Sequence, residues 1–308
     1  MSELIKLKCP NCEKELDIPA ELEEFSCLYC GTRSSVTAIL NPMPDTPADF
    51  AERFSELKLR LPKTVTRYPD YYKRITKKEF FHAFEVYENE NRALMRELDV
   101  LAKVHPRGVE AGLQELCEST MDSLTEYMES DKRWKFKGKR SQVMFEVKLV
   151  LAIFLTPLAR KMKLETAESF RTQMHNSWKA RYPKEVWEPG DYEVMASGFK
   201  KIKWCYITTA TCRSEGKSDD CAELMAFRSF RDGWLTENGG AELIGEYYDK
   251  APGIVACIEL CDNAAERYEE IRQRWLDPCY QAILENRMAD CKAAYVSMVR
   301  QLEERYFH

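Results

Sequence analysis

Four cysteines near the start of the chain carry its clearest chemistry. Cys9-Pro-Asn-Cys12 and Cys27-Leu-Tyr-Cys30 are two Cys-x-x-Cys pairs, the second followed by Gly31. Each pair closes a tight turn that aims two thiolates at one point, so together they offer a tetrahedral shell to one Zn²⁺ at about 2.3 Å. With all four positions filled by protein sulfur, none is left for a substrate, and the predicted zinc is structural, not catalytic. A unit of about 40 residues this polar needs a metal or disulfides to fold. Apolar alternation over residues 4–8 and 34–40 predicts the short strands of a ribbon. Its Lys6, Lys8, Lys14 and Arg33 are outnumbered by Glu3, Glu13, Glu15, Asp17, Glu21, Glu23 and Glu24. Such a surface repels a phosphate backbone and predicts a ribbon that faces protein or is purely architectural.

A second set of cysteines is less legible. Cys205, Cys212 and Cys221 lie close to Thr208, Thr209, Thr211, Asp219 and Asp220, so Cys205 or Cys212 is a candidate nucleophile. A catalytic thiol needs a histidine, a basic neighbour or a helix N-terminus to favour thiolate. His82, His105, His175 and His308 all fall outside the segment. Buried structural thiols are therefore the favoured reading. Combining the set with Cys257, Cys261, Cys279 or Cys291 gives no recognised metal spacing. Cys117, Cys261 and Cys291 sit on apolar helical stripes, where free cysteine acts as a small hydrophobe. A third candidate is the stretch 131–140, which interleaves Trp134 and Phe136 with Lys132, Arg133, Lys135, Lys137, Lys139 and Arg140. Bases stack on such aromatics while the cations neutralise phosphates, although a solvated interhelical loop is the favoured alternative.

The elements that must position these residues are mostly helices. Prolines at 42, 44 and 47 predict a stiff linker over 41–48. Thr76-Lys-Lys-Glu79 has capping-box spacing ahead of a helix from Phe80 to about Val104. Further helices are expected over about 109–129, 141–162 with a kink at Pro157, 165–181 and 191–199. In the last third, helical spacing covers 220–235, and Gly239-Gly240 breaks it. A helix over 241–249 is expected to end at Ala251-Pro252, and a longer one carries Ile254, Ile258, Cys261, Tyr268, Ile271 and Trp275 on one face. Asp277-Pro278 predicts a new N-terminus before a stripe from Tyr280 to Leu302. The expected fold is mainly α: a zinc ribbon (1–40), linker (41–48), helical middle domain (49–200) and helical C-terminal module (201–308).

Composition bounds the rest. In 308 residues, 44% apolar and 31% charged side chains give a globular balance, and the net charge of −5 argues against general affinity for nucleic acid or anionic membranes. The cysteine pair is reached before any apolar run long enough for a signal peptide, so the expected location is cytoplasmic, where thiols stay reduced. The most apolar stretch, 149–158, reads as a buried helix and not a membrane span.

One further pattern emerges from Cys205-Tyr-Ile-Thr-Thr-Ala210, Phe227-Arg-Ser-Phe-Arg-Asp-Gly-Trp-Leu235, Tyr247-Tyr248 and Ala251-Pro252. Over residues 204–258 this order resembles the bacterial CFI-box C-terminal-domain proteins, with their Cys-Phe-Ile-Ala-Thr-Ala box, Arg-x-Phe-Arg-Asp helix and paired tyrosine before a proline. Tyr206, Thr208 and Cys212-Arg213 depart from that pattern and look like a clostridial-type branch, in which Asp219 to Leu224 follows the box. The resemblance implies a C-terminal module carried behind varied domains, and it supplies no activity. It directs attention to Arg228, Arg231, Asp232, Tyr247 and Tyr248. Arg228 and Asp232, four apart, are expected to pair on a helix surface; alternatively Arg228 and Arg231 present guanidinium forks to an acidic partner. The leading expectation is a non-enzymatic adaptor whose ribbon and C-terminal module recognise an unidentified protein, with neither nucleic acid nor membrane as partner.

Overall fold

A computed structural model describes residues 4–19, 22–185, 187–200 and 205–307, without the side chains of residues 37, 198 and 200. Glu3, Glu21, Trp204 and His308, used above, lie outside it. The chain is mainly helical, with two small antiparallel sheets confined to the N-terminus. β1 (Leu4–Lys8) pairs with β2 (Glu15–Pro19) in the register Leu4 to Pro19, and β3 (Glu24–Ser26) pairs with β4 (Arg33–Ser35). The expected strand over 34–40 is corrected: pairing stops at Ser35, and α1 (Val36–Leu40) follows as one helical turn. Its Val36 is fully buried and closes the ribbon's own small core with Leu7, Leu16 and Ile18.

The linker is shorter than expected. Thr46 accepts a hydrogen bond at Oγ1 from the Asp49 amide (3.1 Å), and Pro47 opens α2 (Pro47–Arg60). Proline's fixed φ and missing N–H suit the first helical position, so the last proline of the run nucleates a helix instead of extending a spacer. At Thr76, Oγ1 accepts from the Glu79 amide (3.3 Å), which makes half of the expected capping box ahead of α3 (Phe80–Lys103). α4 (Val109–Ser130) packs antiparallel-fashion behind it through Leu113, Leu116, Cys117, Met121 and Leu124, all fully buried.

α5 (Lys137–Lys161) runs straight through Pro157, by way of a π turn at Val150–Leu155. Widening the turn just before a proline moves aside the carbonyl that its ring would strike. The same device carries α11 through Pro278: Ala264–Ile271, a π turn at Arg272–Leu276, then Asp277–Leu284. Asp277 is thus inside a helix, and the expected N-cap there is corrected. At 25 residues, α5 is long and apolar enough to cross a bilayer, but 83% of its apolar window is buried within the fold, as befits a core helix. α6 (Ala167–Arg181) and α7 (Tyr192–Lys200) complete this part.

The Cys205 segment is helical, as α8 (Tyr206–Ser214), followed by α9 (Ala222–Phe230, continued by a π turn at Arg231–Leu235). α10 (Ala241–Glu259) does not end at Pro252. Around Pro252 the helix is pinned from outside: Asp249 O accepts from the Lys77 amide and Asp249 Oδ1 from the Lys78 amide, both at 2.8 Å. A Cβ on Gly253 would lie 1.8 Å from the Ile75 carbonyl oxygen, so no larger residue fits this crossing. The long stripe is broken instead at residues 260–263, and again at Asn286, whose φ of 58° turns the chain into α12 (Met288–Phe307). One continuous apolar core extends from Phe54 to Phe307, separate from that of the ribbon. Across it, the fully enclosed Lys148 of α5 pairs with Glu185 (2.9 Å) and Asp262 (3.0 Å).

Candidate metal centre and the Cys205 cluster

The two Cys-x-x-Cys turns are built alike. In each, the amide four residues after the first cysteine donates back to that cysteine's carbonyl: Glu13 to Cys9 (2.9 Å) and Gly31 to Cys27 (2.8 Å). The residue after each second cysteine takes the left-handed conformation, Glu13 at φ 57° and Gly31 at φ 73°. Glycine is the usual occupant of such a position; in the first turn Glu13 accepts it. The result brings Cys9, Cys12, Cys27 and Cys30 Sγ within 4.8 Å of one another, with Cys9 to Cys30 at 3.6 Å and Cys12 to Cys27 at 3.7 Å. A tetrahedron with bonds of about 2.3 Å has edges of about 3.8 Å. These separations therefore fit four thiolates around one metal ion and are far too long for disulfides. The Tyr29 amide also points at Cys27 Sγ (3.4 Å), and hydrogen bonds with Thr32 hold the Cys30 thiol down to about 6. Among the described residues this is the one group of three or more metal-ligating side chains arranged to hold an ion.

The tip of the second turn faces outward. Leu28 is 90% exposed and Tyr29 65%, with the Lys14 ammonium 5.6 Å from the Tyr29 ring centroid. An aliphatic and an aromatic side chain are thus displayed by the four-sulfur scaffold, Tyr29 with only the Lys14 ammonium over its ring.

Searches against protein-family models, curated proteins and solved structures find no match to this chain. Its second candidate site must be judged on geometry alone.

There, Cys205 is buried just ahead of α8, and Arg231 is turned inward on the π turn of α9 to donate from Nη1 to Cys205 Sγ at 3.4 Å. Arg231 also donates from Nε and Nη2 to Asp232 (2.7 and 2.8 Å), and its guanidinium carbon lies 5.9 Å from the Tyr248 ring centroid. Arg228 bonds the Asp219 carbonyl oxygen (2.8 Å), so the expected pair of Arg228 with Asp232 is corrected: the π turn rotates Asp232 out of an (i, i+4) relation. Tyr247 accepts from the Ile207 amide (3.0 Å), and Thr208 Oγ1 meets the Tyr295 hydroxyl (3.1 Å). Tyr206 packs edge-on to Tyr248, and the Tyr247 and Tyr295 rings meet at a tilt of 53°. The Cys205 box, the arginine of α9 and the paired tyrosine of α10, spread over more than forty residues, therefore converge. Tyr295 of α12 belongs to the same cluster and carried no motif that pointed to it.

This cluster is armed poorly for nucleophilic catalysis. Burial raises the Cys205 thiol, only partly opposed by Arg231 and Arg228, and burial followed by Glu223 pushes Cys212 up to about 12. His105 is held among Phe50, Phe54 and Glu115, and His175 packs on Trp187. Thr209 is buried beside Tyr206, with its hydroxyl unpartnered. Cys221 is half-buried at the start of α9, and Asp219 and Asp220 are exposed in the loop before it, with Asp219 accepting from Arg213 (3.0 Å). Cys257, Cys279 and Cys291 are fully buried in the core.

In the basic stretch, Arg133 is enclosed between Asp131 and Glu146, donating to both (2.7 to 3.1 Å), Trp134 packs on the core, and Arg140 donates to the Trp134 carbonyl oxygen (2.6 Å). Lys132, Lys135, Phe136, Lys137 and Lys139 remain exposed. Three of the eight side chains of the expected nucleic-acid surface, Arg133, Trp134 and Arg140, are thus engaged in internal contacts.

Proposed function

We propose that this protein is a non-enzymatic adaptor: a zinc-loaded ribbon presents the Leu28-Tyr29 tip to a protein partner, and the helical body carries it. The exposure of those two side chains on the metal-binding turn is the observation that carries the reading. Apolar and aromatic side chains held rigid at little entropic cost are what interface anchors are made of. The acidic remainder of the ribbon favours a partner of positive or neutral surface over a phosphate backbone. Zinc is the ion that four thiolates in a tetrahedron suit best in a reducing compartment such as the cytoplasm. The C-terminal module is read as being of the CFI-box type, supported by the convergence of Cys205, Arg231 and Tyr247-Tyr248; its inward-facing side chains suit a scaffold more than a reaction centre.

The test is capture of a partner by the full chain, followed by the double variant Leu28→Ser, Tyr29→Ser. A partner retained by wild type and lost by that variant, at unchanged zinc content and unchanged helical signal, supports the adaptor. Undiminished capture by the variant sinks the proposed recognition surface.

A further inference from the structure

A cleft of about 1220 Å³ lies between the ribbon and the helical body. Its floor is one face of α3, its far wall is the end of α5 and the segment after it, and Ser35, Ala38 and Asn41 close it from the ribbon side. What distinguishes it is an excess of buried hydrogen-bond donors. Arg96 is only 6% exposed and makes no hydrogen bond or ion pair with any described residue. Arg92, one turn earlier, spends Nη2 on Glu88 (2.7 Å), but its Nε is buried without a partner. Asn41, 8% exposed, likewise leaves Nδ2 unpartnered. Nε of Arg92 and Nδ2 of Asn41 are enclosed without a partner and line the same cavity as the 6% exposed Arg96, an unusual arrangement because a buried donor left unpaired is costly, and more so when charged.

The carboxylates around the cleft do not answer this need. Glu88 is engaged by Arg92 and Lys161, Asp99 by Thr166 (2.8 Å) and Lys103 (3.3 Å), and Glu165 by Lys103 (2.8 Å). Glu24 is held by Arg33. Glu23 and Glu85 are exposed to water, so they require no ligand. What is missing is a negative acceptor in hydrogen-bond contact: burial and then Arg92 disfavour the Arg96 cation, and the charges of Glu23 and Glu88 offset this only in part. A carboxylate brings two oxygens; two guanidinium groups one turn apart on α3 and an amide from the segment after α1 call for more.

We infer that this cleft binds a phosphate-bearing small molecule, whose oxygens are taken by Arg96, by Nε of Arg92 and by Nδ2 of Asn41. The cavity exceeds a phosphate group alone and has the dimensions of a small-molecule site, so the remainder of the ligand extends along the cleft past Tyr192 and Lys163.

Titration calorimetry on the full, metal-loaded chain at constant ionic strength tests this with inorganic phosphate, pyrophosphate, acetate and citrate. Saturable binding of phosphate or pyrophosphate is expected, weakened roughly 10- to 100-fold by Arg96→Gln. Asn41→Ala, which leaves the helices untouched, should weaken it by a smaller factor. No saturable binding of either phosphate probe, equal binding by Arg96→Gln and Asn41→Ala, or tighter binding of acetate and citrate than of pyrophosphate would each overturn the inference. So would a double-mutant cycle in which Glu23→Gln and Arg96→Gln destabilise the chain alike and non-additively, because Arg96 would then be serving a ribbon carboxylate.

Discussion

Two sets of cysteines divide this molecule. Those of the ribbon stand at the ends of short turns, partly open to water, with sulfurs 3.6 and 3.7 Å apart across the pairs. Those of the body, Cys117, Cys205, Cys212, Cys257, Cys279 and Cys291, are buried in the helical core, Cys205 against Arg231 and Cys279 beside Cys291. The same residue type serves as metal ligand where the local fold has too little apolar surface to hold itself, and as packing where a core already exists. Clustering and exposure, not cysteine count, separate the two uses.

The comparison is sharpened most by removing the metal. Cys27→Ser, or chelation, should unfold the ribbon, because a structural four-cysteine site supplies about 10–16 kcal/mol to a fold whose own core is only a few side chains. Amide resonances of residues 4–40 should collapse while those of the body persist. In the same sample an alkylating reagent should label the four ribbon thiols and spare Cys257, Cys279 and Cys291; equal labelling of both sets would erase the distinction.

Next in size is the body's own polar clamp. Lys148→Ala strands Glu185 and Asp262 near the core, and chemical denaturation at pH 7 should report a loss of about 3–5 kcal/mol. Burial, and then Asp262, raise Glu185 above its ordinary value. Its enclosure is therefore best tolerated when protonated, below the unfolded carboxyl value, and that contribution is lost as pH rises through the raised folded value. The Lys148→Ala deficit should accordingly shrink on acidification, and a deficit that does not change with pH would mean that Lys148 acts through packing alone.

A smaller effect is expected where a single hydrogen bond joins the box to the paired tyrosine. Tyr247→Phe leaves the Ile207 amide buried without an acceptor and should cost roughly 1–3 kcal/mol in denaturant titration. No change would show that the convergence around Cys205 rests on ring packing. Smallest of all, Leu28→Ser with Tyr29→Ser should alter stability by no more than about 0.5 kcal/mol, since neither side chain packs inside the fold. A large drop in melting temperature would reassign the tip from recognition to structure.

Much of this was legible in the chain itself. Two Cys-x-x-Cys pairs, a helical period from Phe80 onward and a proline-rich entry at 42–47 depend on local spacing, and local spacing survives whatever the rest of the chain does. The ribbon ligands, the mainly α body and most helix centres follow from such signals. The helix through Pro157 was expected, but proline was misleading at Pro252 and Pro278, where the chain also continues because contacts from a distant segment or a π turn absorb the defect that local rules assign to proline. Tertiary structure alone decided that Arg231 turns inward to Cys205 while Arg228 stays outside, that Tyr295 joins the box, that Arg133 of the basic stretch is taken by Asp131 and Glu146, and that Arg96 and Asn41 share a cleft. The physical reason is common to all of these. A side chain's burial and its partners are set by elements dozens of residues away, whereas its turn and its helical face are set by its immediate neighbours.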